Sequence, residues 1–116
     1  MSELIQRVAD AVNAGAIMVP PSVGTGDAIE MYADVIEDMS DEIGHPNVDE
    51  IVGIASAIAQ KVCGMAADAD ATYGGKPMTV SDHDGLVDGM DAWVVVIGDA
   101  NAIITFDETN ALLTLR

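Results

Sequence analysis

Residues 92–115 read AWVVVIGDANAIITFDETNALLTL. Three short apolar runs, residues 93–97, 102–106 and 111–115, are separated there by Gly-Asp-Ala-Asn and Asp-Glu-Thr-Asn. Short apolar runs rich in β-branched residues predict strands, and the separators have the composition of turns. We therefore expect an antiparallel meander of three strands, or of four if another strand forms near residues 78–80.

The pattern upstream of the meander is helical. Apolar residues recur every three or four positions from Leu4 to Ala16, which predicts a first helix that is capped by Ser2 and ends before Pro20. A second helix is expected from Asp27, acting as its cap, to a stop at Gly44.

A third helix is expected over about residues 48–67, after a restart at Asn47. Apolar residues surround most of its circumference, which places it at the centre of the fold or at an oligomer interface. The small residues Gly53, Ala57 and Gly64 would allow another backbone to approach closely. Helices followed by strands predict an α+β fold, with three N-terminal helices packed on a C-terminal three- or four-stranded antiparallel β-meander and residues 1–116 as a single domain.

The segment between the helices and the strands is rich in turn residues. Residues 68–77 read DADATYGGKP, which predicts a mobile connector. Tyr73 lies in it and is therefore the aromatic residue that we expect to be exposed and available to contact a partner.

The charge is extreme for a chain that should fold. The 116 residues include 20 acidic and 4 basic side chains, for a formal charge of −16, yet half of them are apolar. This apolar content excludes the composition of a disordered chain, so the charge should be displayed on a folded body. Four cations cannot neutralise a phosphate track that 20 carboxylates oppose, so direct nucleic-acid binding is excluded.

No segment resembles a membrane span or a signal peptide. The longest wholly apolar run, residues 92–97, has six residues against the roughly 20 that a span requires. Asp10 and Asn13 interrupt the apolar N-terminal stretch, which argues against a signal peptide. We expect a cytoplasmic protein.

The second predicted helix concentrates the acidic residues in a stripe without any Lys or Arg. The stripe consists of Asp27, Glu30, Asp34, Glu37, Asp38, Asp41 and Glu42. Seven carboxylates over 15 helical steps of about 1.5 Å give roughly one charge per 3 to 4 Å, comparable with the roughly 3.4 Å between phosphates along one DNA strand. The leading hypothesis is a non-enzymatic, DNA-mimic-like protein that occupies the nucleic-acid-binding surface of a basic partner. Phage- or mobile-element-encoded inhibitors of host defence would have this role.

Two alternatives account for the same charge. The first is salt adaptation, in which the acidic surface keeps a small cytoplasmic domain of a halophile soluble and its function is unrelated. The second is divalent-cation binding by residues 81–91, where Asp82, Asp84 and Asp88 supply oxygen ligands. This segment lacks the glycine and glutamate positions of an EF-hand, so only weak binding is expected, and a short helix capped by Ser81 explains it as well.

Other chemistry is not indicated by the sequence. The glycines at positions 24 and 26 lack the lysine of a phosphate loop, and no serine, histidine and acid have the spacing of a catalytic triad. We expect no cofactor. His45 suits a solvated loop, and Cys63, the one cysteine, suits a buried helix. The apolar third helix and residues 92–97 are compatible with a homodimer.

Overall fold

Three helices precede a sheet in the computed structural model. It describes residues 3–20, 24–65, 67–85, 92–106 and 111–115, with Phe106 and residues 111–115 described through their backbone. The helices are α1 (Glu3–Asn13), α2 (Thr25–Ile43) and α3 (Ile51–Val62), and a 3₁₀ turn (Val48–Glu50) leads into α3. The strands are β1 (Ala69–Tyr73), β2 (Lys76–Asp82), β3 (Ala92–Ile97), β4 (Ala100–Phe106) and β5 (Ala111–Leu115). The α+β fold with N-terminal helices and a C-terminal meander is confirmed.

The sheet contains a hairpin that the sequence pattern did not predict. The five strands of the sheet follow the order of the chain, and every neighbouring pair is antiparallel. The predicted connector forms β1, a two-residue turn and the start of β2, so the prediction of a mobile loop was wrong. Gly74 and Gly75 have φ values of +58° and +84°. Positive φ at both central residues is typical of the tightest hairpin turns, and glycine adopts it without steric cost.

Glycine also decides where α1 and α3 end. Gly64 has φ +89°, its N–H donates to the Lys61 carbonyl, and the next N–H, of Met65, donates to the Gln60 carbonyl. This pair of bonds is a Schellman motif, and Gly15 ends α1 in the same way. Both helices are therefore shorter than their apolar periodicity predicted.

The limits of α2 agree with the prediction at one end. It stops at Gly44 as predicted, but it begins at Thr25 after Gly24, and no side chain caps it. The prediction that Asp27 caps α2 was wrong. The restart at Asn47 is confirmed, with the Asn47 N–H donating to Glu50 Oε1 over 3.1 Å. The predicted cap of α1, Ser2, lies outside the described residues.

The core lies between the helices and one face of the sheet. Helix α3 packs on β1 and β2, α2 lies against β4 and β5, and α1 packs on the other two helices. The strand residues that alternate toward the helices join the same apolar cluster as Ile36, Ile54 and Ile58. Helix α3 therefore contacts both other helices as well as the sheet. Gly53 is exposed, and a Cβ added there would meet no atom within 4 Å, so no other backbone approaches Gly53 closely among the described residues.

Candidate binding surfaces

Helix α2 has two faces of opposite character. Its buried face includes Tyr32, Val35, Ile36 and Met39, none of which is exposed to solvent. All seven acidic residues of the helix are exposed; we call them the acidic face (Asp27, Glu30, Asp34, Glu37, Asp38, Asp41 and Glu42). Because the apolar side packs into the core, the carboxylates are presented on a rigid element.

No cation compensates the acidic face within the described residues. The described residues form two ion pairs, Arg7 with Glu3 at 3.1 Å and Lys61 with Asp82 at 3.3 Å. Neither pair includes a residue of the acidic face. Burial raises the pKa of Asp38, and repulsion from Asp34 and Asp41 raises it further. The acidic face is therefore a region of unrelieved negative potential.

Tyr73 does not belong to an exposed surface. It is 3% exposed, and its hydroxyl donates to the Gly44 carbonyl oxygen over 2.9 Å. Burial raises the Tyr73 pKa to about 12. The prediction of Tyr73 as a partner-contacting residue was wrong, because the segment that carries it is a strand with Tyr73 facing the helices.

Glu50 fixes the β1–β2 hairpin to the helical layer. Its carboxylate accepts hydrogen bonds from the N–H groups of Gly74, at 2.7 Å, and Gly75, at 3.3 Å, besides that of Asn47. One side chain thus holds both the start of the 3₁₀ turn and the tip of the hairpin. Sequence analysis missed this role because the partners are 24 and 25 residues away.

Lys61 is a buried cation that sequence analysis counted only as charge. It is 1% exposed, and its Nζ donates to the carbonyls of Met65 at 2.8 Å and Ala67 at 3.3 Å, and to Asp82 Oδ2 at 3.3 Å. Three acceptors use the three protons of the ammonium group. Lys61 therefore joins the end of α3 to the end of β2, and no proton remains for a ligand.

The acidic segment 81–91 is described in part. Ser81 and Asp82 end strand β2, so the predicted helix capped by Ser81 was wrong. Asp84 is exposed, and Asp88 and Asp91 lie outside the described residues. Among residues 3–85 and 92–106 that are described, no three His, Cys, Asp or Glu side chains are grouped as a cation site. Weak divalent binding stays a prediction.

The two histidines line different clefts. His45, exposed as expected, lines a cleft of about 760 Å³ beside the end of α2, together with Lys76 and Asp99. His83 lines a separate cleft of about 310 Å³ with Lys61 and Trp93. The structure therefore does not bring the histidines into one site.

Cys63 is a partly buried thiol at the end of α3. Burial raises the pKa of this thiol. Reactive cysteines have lowered pKa values, so this environment favours a structural thiol. The Tyr32 hydroxyl donates to the Met18 carbonyl over 2.9 Å.

Among the described helices, none is both long and apolar enough to cross a membrane. Comparison of the chain with protein-family models, with curated proteins and with solved structures finds no match in any of the three. The function must therefore be inferred from the surfaces themselves.

Proposed function

We propose that this protein is a non-enzymatic binding protein whose acidic face occupies the nucleic-acid-binding groove of a basic partner. The observation that supports it is the set of seven exposed carboxylates on α2, for which the described residues supply no cation. A partner that supplies Arg and Lys would form charge-assisted hydrogen bonds with these carboxylates and be steered toward them. Inhibition of a cytoplasmic nuclease or defence complex, on behalf of a phage or mobile element, is the role that such binding would serve.

The geometry of α2 favours imitation of phosphates over a merely solvated helix. The 19-residue helix is held by its buried side, so the backbone that spaces the carboxylates is already ordered before binding. Their density along the helix, roughly one per 3 to 4 Å, is close to that of phosphates on one strand of DNA.

Charge reversal on α2 tests the proposal. The variant Asp34→Lys/Glu37→Lys should lose capture of basic nucleic-acid-binding proteins from a candidate host lysate, because it reverses the centre of the acidic face. Both side chains are exposed, so the fold should change in stability by only about 0.5 kcal/mol per site. The measurement is a pull-down with immobilised protein at about 0.1 M and 0.5 M salt, followed by elution with duplex DNA.

The matched control is Asp49→Lys/Asp68→Lys, which changes the net charge equally at exposed residues outside α2. Wild type and control should capture the same basic protein, and both duplex DNA and the higher salt should release it. Equal capture by all three baits, or capture that duplex DNA cannot displace, would contradict the proposal.

A further inference from the structure

The sheet face turned away from the helices differs in charge from the rest of the molecule. The outward positions of β1–β4 alternate with the core positions, and none of their residues belongs to the apolar cluster under the helices. Of the acidic residues that the structure describes, Asp70 alone occupies such a position, on edge strand β1. We call this surface the outer sheet face.

The centre of the outer sheet face is apolar and β-branched. Val94 lies directly opposite Ile103 in the β3–β4 register, and both are half-buried. Val96, the next outward residue on β3, is 36% exposed and is flanked by Thr79 on β2 and Asn101 on β4. An uncharged strip therefore runs across the middle strands.

We propose that the outer sheet face binds a second copy of this chain, face to face. Two molecules that each carry a charge of −16 repel each other, and the repulsion is smallest where the facing surfaces carry few carboxylates. The negative potential of the molecule attracts a basic partner to the acidic face rather than to the outer sheet face. Sheets pack face to face at about 10 Å with β-branched side chains between them, which this strip provides.

The size of the face sets the expected strength of the dimer. Four strands about 4.8 Å apart and about 20 Å long cover roughly 400 Å² per copy. Standard interfaces bury about 800 Å² per partner, so association should be weak and depend on concentration. The helices of both copies would lie outside the paired sheets, leaving both acidic faces free.

Salt should have opposite effects on this self-association and on the capture of a basic partner. Screening weakens the repulsion between copies, so the dimer should strengthen as salt rises, whereas attraction to a basic partner weakens under the same change. The inference thus does not depend on the proposed function.

Sedimentation equilibrium of the full chain, over a concentration series at about 0.1 M and 1 M NaCl, tests the inference. The mass should approach that of two copies as concentration rises, at lower concentration in the higher salt. Val96→Glu should weaken association at least about tenfold, because it places a carboxylate at the centre of the interface. Val48→Glu is the matched control, since Val48 is 40% exposed in the 3₁₀ turn, which lies in the helical layer and not on the outer sheet face.

Asn101→Glu provides a second test, because this exposed polar position should tolerate the change even if Val96→Glu perturbs the sheet. Circular dichroism verifies folding of each variant. A single-copy mass at every concentration and salt, or equal association of the folded Asn101→Glu, Val96→Glu and Val48→Glu variants, would overturn the inference. Association beyond two copies would also overturn it.

Discussion

At the scale of single residues, Lys61 shows how a cation can stabilise this chain without lying on its surface. Its partners include an exposed carboxylate, Asp82, and two backbone carbonyls near the end of α3. The ion pair should contribute little because water screens Asp82, whose side chain is 69% exposed. The carbonyls should matter more, since removing the buried donor leaves both carbonyls without this partner.

We therefore expect Lys61→Met to lower the free energy of unfolding by about 1–3 kcal/mol. The apolar replacement keeps the buried stem packed but cannot donate to Met65 or Ala67. Asp82→Asn is the matched control and should cost less than about 0.5 kcal/mol. Urea unfolding measures both, and an equal loss in the two variants would show that the ion pair, rather than the carbonyls, makes Lys61 important.

The two tyrosines predict the response to alkali. Burial raises the pKa of Tyr73 to about 12 and that of Tyr32 above its ordinary range. A phenol with a raised pKa in the folded state holds its proton when the unfolded chain has lost it. The contribution of the two tyrosines to stability is therefore fully present below about pH 10 and is lost as pH rises from there toward 12.

Tyrosinate absorbance near pH 10.5 should consequently be almost absent in the folded protein and appear when urea unfolds it. These are the only tyrosines of the chain, so the signal can be assigned. Tyr73→Phe should reduce the alkaline loss of stability while costing about 1 kcal/mol at neutral pH, through the lost bond to the Gly44 carbonyl. Half-ionised phenols in the folded protein at pH 10 would contradict the burial of both.

At the scale of elements, local patterns predicted the helices and the apolar strands, and they failed where long-range contacts decide. Strand β1 reads Ala-Asp-Ala-Thr-Tyr, and alanine and aspartate are depleted in strands. Its pairing with β2 and the fixation of its turn by Glu50 determine the conformation. Because this segment was predicted to be a loop, Tyr73 was predicted to be exposed to solvent. In contrast, the exposure of all seven acidic residues followed from helical periodicity alone.

The hairpin should depend strongly on Glu50. Glu50→Ala removes the acceptor of three backbone N–H groups, and we expect a loss of about 1–2 kcal/mol in stability. Amide exchange at Gly74 and Gly75 should also accelerate, because the tip of the hairpin is released. Asp49→Ala is the control, as its exposed side chain makes no hydrogen bond within the described residues. Unchanged exchange at both glycines would show that the turn residues alone hold the hairpin.

At the scale of the whole molecule, the net charge of −16 makes stability a function of salt. The molecule measures 33 × 32 × 25 Å, whereas the Debye length is about 10 Å at 0.1 M salt. Repulsion across the molecule is therefore mostly screened already at that concentration, and only near neighbours, such as those along the acidic face, still repel. A protein built for an ordinary cytoplasm should then be well folded.

The expected outcome is a cooperative thermal transition at about 0.1 M KCl and only a modest rise in Tm at 1 M. A salt-adapted protein would behave differently, because the folded state would rely on molar salt to hold its carboxylates together. The measurement uses dilute samples, in which the chain does not associate with itself, so that the rise in Tm reports only the effect of salt on folding. In the Asp34→Lys/Glu37→Lys variant the rise in Tm should be smaller, because the variant removes repulsion between neighbouring carboxylates on α2. A wild-type chain that is unfolded at 0.1 M and folds only in molar salt would make salt adaptation the explanation of the acidic face.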